Sequence, residues 1–200
     1  VGALVGFKTQ RGDKVQVKVA SSFISPEQAQ RNLELETGNQ GFDEIKAAGR
    51  DIWNRELGRF HVEGEDPRQI RTFYSTLYRV LLFPRMFHEV NAEGDTVHYS
   101  PYNGEVLPGV MFTDNGFWDT FRAVFPFFNL MYPSLNAKIM EGLANTYLES
   151  GWLPEWASPG HRDCMIGSNS AINIADAYLK GSLEDEATIE LLFEAVLKNA

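Results

Sequence analysis

Hydrophobic positions alternate with a period of two at the start of the chain and then settle into helical spacing. Ala3-Leu4-Val5-Gly6-Phe7-Lys8 and Val15-Gln16-Val17-Lys18-Val19-Ala20 flank a turn at Arg11-Gly12-Asp13, and β-branched residues alternating around a Gly-Asp turn predict a hairpin. Two strands are marginal alone, so this hairpin reads as the trailing edge of a larger sheet. From Ser25-Pro26-Glu27-Gln28 the pattern changes: a Ser cap, a Pro in the first turn and an acid behind it begin a helix. A second helix is predicted from Phe42 to Leu57, with Phe42, Ile45, Ile52, Trp53 and Leu57 on one side. Asp66 and Pro67 start a third, whose stripe of Ile70, Phe73, Tyr74, Leu77, Tyr78 and Leu81 stops before Pro84.

Residues 84–112 lose the helical period and carry Asn91, Gly94, Asn103, Gly104, Pro108 and Gly109. A connection this long carries structure of its own or function, and Met86–Val90 with Thr96–Tyr99 predict a small hairpin around Asn91–Asp95. An Asp114-Asn115-Gly116 turn then opens a helix along which Phe117, Phe121, Val124, Phe125 and Phe128 recur. Asp114 or Asn115 is its expected N-cap. Further helices are predicted over Ser134–Glu149, Ser170–Leu179 closed by Gly181, and Glu184–Leu197. Successive helices joined by alternating short and long loops predict a mainly α fold of stacked α-hairpins rather than βαβ units. The last helix carries no C-terminal cap signal, which reads as a fragment of something longer.

Composition narrows the function. Two hundred residues, 44% of them hydrophobic, are enough for a real core. A net charge of −9 with no Lys/Arg cluster argues against a nucleic-acid surface. The most aromatic run, Val124 to Tyr132, is broken by Pro126 and Asn129 and is too short for a membrane span. One cysteine, Cys164, excludes an internal disulfide.

The most informative chemistry lies in Trp118-Asp119-Thr120-Phe121-Arg122. Near a helix start a carboxylate is favoured by the dipole, and Arg122 lies one turn further on the same side. Trp118 can lay a flat apolar face beside the acid. An aromatic plate beside a charged acceptor suits a sugar, whose C–H face needs apolar contact and whose hydroxyls need charge-assisted hydrogen bonds. The plainer reading is a local surface ion pair next to a core Trp.

Other carboxylates matter because glycoside hydrolysis uses two of them across a bond. Candidates in loops or helix starts are Glu105, Asp114, Asp119, Glu155 and Asp163; solvated loop acids are the alternative. Asp176, on a helix that reads as buried, ought to be paired. Trp152 and Trp156 flank a Leu-Pro turn and suit either a sugar subsite or loop packing. His61, His88, His98 and His161 are scattered, and His161-Arg162-Asp163-Cys164 lacks zinc-ligand spacing. Phosphate-loop, nucleophile-elbow and His-Glu-x-x-His signatures do not occur.

Five ordered motifs, Phe73-Tyr74-Ser75-Thr76-Leu77-Tyr78-Arg79, Phe117-Trp118-Asp119-Thr120-Phe121-Arg122, Glu149-Ser150-Gly151-Trp152-Leu153-Pro154-Glu155-Trp156, Cys164-Met165-Ile166-Gly167 and Ile174-Ala175-Asp176-Ala177-Tyr178-Leu179-Lys180-Gly181, resemble the family 92 glycoside hydrolases. The resemblance implies an inverting exo-α-mannosidase, of α-1,2 type, that trims mannose from N-glycans or mannans and requires calcium. It also implies an N-terminal β-sandwich ending near residue 24, linker helices over 25–63, and the first part of a six-hairpin α/α barrel over 64–200. On that map Asp119 binds hydroxyls of the terminal mannose, shaped and oriented by Trp118 and Arg122, with Trp156 as a further substrate contact. The family's general acid, its paired base aspartates and its calcium ligands belong to motifs that this chain does not contain, so no catalytic or metal residue is assigned. Where the family leads one to expect a His after Gly167, the chain has Ser168-Asn169-Ser170. Bacterial members are mostly exported, which implies a periplasmic or cell-surface protein. The resemblance also implies a mannose-containing glycan as partner, together with the remaining N- and C-terminal parts of the polypeptide, while charge and the length of the apolar runs argue against nucleic acid and a membrane span. Two other function classes remain: a non-catalytic carbohydrate-binding module, and a different α/α-barrel glycosidase or lyase.

Overall fold

A computed structural model describes residues 3–200; Val1 and Gly2, the start of the expected sandwich remnant, lie outside the described residues. Residues 3–20 turn at Arg11–Gly12, where the Asp13 N–H donates to Gln10 O, but no ladder joins the two arms. The expected hairpin is therefore not formed. Two alternating stretches need a third strand beside them, and among the described residues neither arm is paired with one, although Lys18 Nζ donates to Gly38 O at 2.6 Å.

Helix α1 (Pro26–Glu36) begins where Ser25 accepts from the Gln28 N–H. It docks on the small sheet below through Glu89, whose carboxylate accepts from Ser22 Oγ, Phe23 N and Asn32 Nδ2, while Gln28 Nε2 donates to Val90 O. Helix α2 (Phe42–Leu57) has no buried residue; Trp53 packs on Tyr78 of α3 (Pro67–Val80), while Phe42 and Ile52 stay exposed. Asp66 caps α3 at the position expected.

Residues 84–116 build short strands. β1 (Arg85–Met86) pairs with β5 (Phe112–Thr113). β2 (His88–Val90) and β3 (Thr96–Tyr99) form the expected hairpin, to which β4 (Val106–Pro108) adds a third antiparallel strand. β6 (Asn115–Gly116) pairs with β7 (Trp156–Ala157), Gly116 opposite Trp156.

The core lies among α4 (Phe117–Thr120), α5 (Val124–Met131), α6 (Pro133–Ser150), α7 (Asn169–Leu179) and α8 (Glu186–Asn199), around Phe117, Phe125, Phe128, Met140, Leu143 and Leu192. The helix expected through Phe128 breaks into α4 and α5 at Ala123, whose φ of −142° is not helical. Asp176 is paired as expected: Asn129 Nδ2 donates to it at 2.7 Å and Lys180 Nζ lies at 2.8 Å. No helix among the described residues is long and apolar enough to cross a membrane.

Candidate active site

Neither expected residue caps α4. The N-cap is Gly116, without a side-chain bond, and the first turn is held instead by Phe117 N–H donating to Glu155 O and by Thr120 Oγ1 donating to Gly116 O. Asp114 sits at φ +56°, accepts from Ser158 Oγ at 2.9 Å and is ion-paired with Arg85, while Asn115 is buried. Asp114 is thus a pin between the β1 region and the 158 loop rather than a free carboxylate. Four residues of α4 align too few peptide dipoles for the helix-dipole support expected at Asp119.

The β6–β7 pairing brings two expected site residues together. A Cβ added to Gly116 would lie 2.8 Å from Asp119 Oδ2 and 2.8 Å from Trp156 Cε3, so the carboxylate and the indole approach the same spot above Gly116. Asp119 is exposed and Trp156 half-buried, which sets an exposed acceptor beside a partly accessible indole.

Arg122 is placed differently from the expectation. Its guanidinium lies 4.1 Å from the centre of the Trp118 ring and donates to Trp118 O; it makes no ion pair with Asp119 among the described residues. Arg122 therefore braces Trp118, which is 41% exposed, and covers one face of that indole by cation–π contact. The surface ion pair weighed as the plain reading is not formed.

The remaining carboxylates separate. Glu105 and Asp163 are exposed. Glu155 Oε2 accepts from the Asn169 N–H at 3.2 Å, at the start of α7; burial raises its pKa against the opposing bonds from Asn169 and Ser168. Among the described residues no three His, Cys, Asp or Glu side chains converge on a metal position. His161 bonds Ser150 Oγ and is pushed toward the neutral form by burial, against the pull of Asp163.

The sequence model of the glycosyl hydrolase family 92 catalytic domain matches residues 28–200. The chain belongs to glycosyl hydrolase family 92. A family 92 inverting mannosidase from Bacteroides thetaiotaomicron is 52% identical, with a TM-score of 0.83 over 87% of this chain and 23% of that one. A family 92 α-mannosidase from the same organism, solved with mannoimidazole, is 27% identical, with a TM-score of 0.79 over 90% of this chain and 24% of that one. A curated relative, an uncharacterized secreted glycosidase of Arthroderma benhamiae, is 29% identical over 94% of this chain and 20% of its own length. The chain thus spans between 20% and 24% of the length of these relatives. Its mainly helical architecture agrees with these family 92 neighbours.

Sequence reading of this family 92 chain missed Gly116 as the meeting point, because Asn115-Gly116 reads as a turn although it forms β6. It also missed the buried pair His98–Glu149, 2.8 Å apart. Burial lowers the His98 pKa, but the Glu149 hydrogen bond and charge and the Gly109 carbonyl outweigh it and raise the net value.

Proposed function

We propose that the chain forms part of an inverting exo-α-mannosidase and supplies one wall of its mannose site through Trp118, Asp119, Arg122 and Trp156. The observation that carries this is the meeting of Asp119 and Trp156 above Gly116. Asp119 is exposed, and as a carboxylate it accepts hydrogen bonds from two adjacent sugar hydroxyls. Trp156 takes the C–H face, and Trp118, braced by Arg122, closes the edge. Such contacts accelerate the reaction as far as they favour the distorted sugar over the relaxed one. The general acid, the base and the calcium ligands are not assigned to residues of this chain: among the described residues no three His, Cys, Asp or Glu side chains converge on a metal position.

That the two solved relatives are mannosidases supports the activity, and the secreted curated relative supports an exported protein; N-glycans or mannans are the substrates that go with this reading. Residues 1–24 as the end of a sandwich, 25–63 as linker and 64–200 as barrel are the domain reading that goes with it. The test is Asp119→Ala and Asp119→Asn in the full-length protein, assayed on an α-mannoside with thermal unfolding as the folding control. Loss of a charge-assisted bond of about 1.5–3 kcal/mol predicts a fall in kcat/KM of roughly tenfold to a hundredfold. Turnover by Asp119→Ala within about twofold of the parent overturns the role.

A further inference from the structure

The ladder of β6 on β7 is short: Asn115 stands opposite Ala157 and Gly116 opposite Trp156. The Phe117 N–H, donating to Glu155 O at 3.1 Å, extends it by one step at one end. A pairing this short specifies its register weakly, and a slip of one residue would carry Trp156 to the other face, away from Asp119.

At the opposite end the same register puts Asp114 across from Ser158. Asp114 has the left-handed φ of +56° at the junction of β5 and β6, and among the described residues no backbone bond joins it to Ser158. A side-chain bond stands in its place: Ser158 Oγ donates to Asp114 Oδ1 at 2.9 Å. Both partners are held from behind. Asp114 Oδ2 is ion-paired with Arg85 of β1. Ser158 sits in a tight turn, its N–H donating to Gly160 O at 3.0 Å; its carbonyl accepts from Arg162 Nε at 2.8 Å, while the Arg162 N–H donates to Trp156 O. A residue other than glycine keeps a left-handed backbone where its surroundings fix it, and the two carboxylate bonds, to two different segments, supply that fixing. A one-residue slip would move Ser158 by about 3.3 Å along the strand, more than the length of the bond itself, so the Asp114–Ser158 bond is compatible with one register only.

We propose that Asp114 and Ser158 are positioning residues of the mannose site: their bond locks the register of β6 on β7 and so holds Trp156 beside Asp119. That this is a mannose site rests on the function proposed above, whereas the lock rests on the ladder.

The experiment is a double-mutant cycle in the full-length protein, assayed on p-nitrophenyl α-mannoside with thermal unfolding as the folding control. Ser158 is half-buried, and loss of its hydroxyl leaves the fold in place. Ser158→Ala is expected to lower kcat/KM about fivefold, and Ser158→Thr, which keeps the hydroxyl, to recover most of the loss. In a Trp156→Ala background the same Ser158→Ala change is expected to cost less than about twofold, because Ser158 acts through the indole. An undiminished cost in that background, no cost in the parent, or a Thr variant no better than Ala overturns the lock. Should the parent not cleave the mannoside, or Trp156→Ala cost it nothing, the reading of the mannose site fails by itself. The lock is then decided by ¹⁹F NMR of protein labelled with 5-fluorotryptophan, the Trp156 resonance being assigned with Trp156→Phe. Ser158→Ala and Asp114→Gly remove the same bond from opposite strands, and both are expected to displace the Trp156 resonance and to leave that of Trp53, on α2, unmoved. A Trp156 resonance left in place by either variant overturns the lock.

Discussion

Asp119 and Trp156 close on Gly116 from two different segments, the first turn of α4 and the strand β7, each within 2.8 Å of where a β-carbon would stand. Gly116 has φ −99° and ψ 115°, an ordinary extended conformation, so glycine is required here for space rather than for backbone freedom. The same two-residue ladder that sets Gly116 opposite Trp156 therefore sets the spacing of acid and indole.

Gly116→Ala follows directly from this geometry. The atoms in the way are the tip of a carboxylate and the rim of a half-buried ring, which can move aside, so the fold is expected to survive with a cost at or below about 1–3 kcal/mol. Displacement of both groups is expected to lower kcat/KM on an α-mannoside by at least about tenfold. Thermal unfolding and steady-state kinetics on the same preparation check it; full activity in the alanine variant contradicts the meeting of the two side chains.

Arg122 gives a second discriminating variant. Since its guanidinium lies on Trp118 rather than on Asp119, Arg122→Ala is expected to loosen an aromatic wall and leave the acceptor in place. KM should rise by about threefold to tenfold with kcat nearly unchanged. A fall in kcat matching that of Asp119→Ala would show that Arg122 orients the acid after all.

Much of the helical frame was legible because local signals and tertiary burial agree there. Ser25 and Asp66 cap the helices they were expected to cap, and Asp176 on a buried-looking helix is indeed paired. The break at Ala123 was hidden because Phe121, Val124, Phe125 and Phe128 keep helical spacing straight across it. Strand β4, three residues ending in Pro108, exists only through pairing with β3, which no local pattern announces. The alternation in residues 3–20 promised a ladder whose formation needs partners beyond local sequence. Asp119 and Trp156 each stood out by residue type, but their meeting depends on the register of β6 on β7, a long-range relation that periodicity does not encode.

Asp114 combines a left-handed backbone with two tertiary bonds, and its variants separate these effects. Asp114→Ala loses the Ser158 and Arg85 contacts and retains a β-carbon at φ +56°, a conformation that costs about 1–2 kcal/mol. Asp114→Gly loses the same contacts but removes that strain. Urea unfolding is therefore expected to rank the parent above Gly and Gly above Ala, with Gly and Ala about 1 kcal/mol apart. Equal stability of the two variants would show that the backbone term is absent.

The pair His98–Glu149 predicts how stability responds to pH. Both ring nitrogens of His98 face acceptors, Gly109 O at 2.9 Å and Glu149 Oε1 at 2.8 Å, an arrangement that satisfies the doubly protonated ring. The folded pKa is raised above the ordinary 6.5, so the folded state holds the proton more tightly than the unfolded chain. The resulting stabilisation is complete below about pH 6.5 and is lost as pH rises through the folded value. Glu149→Gln keeps an acceptor but removes the charge, so its stability should fall less steeply than the parent's over that window and start lower below it. Other groups near the ring do not disturb the comparison: Tyr102, pushed up to about 12 by burial, titrates far above it, and His161 titrates below and is common to both proteins. Urea unfolding of parent and variant from about pH 5 to about pH 9 gives the difference curve. His98→Leu, which strands the Glu149 carboxylate in the interior, is expected to cost roughly 3–5 kcal/mol near neutrality. Parallel pH curves for parent and Glu149→Gln would mean that His98 is neutral in the fold and that its bond to Glu149 carries no charge.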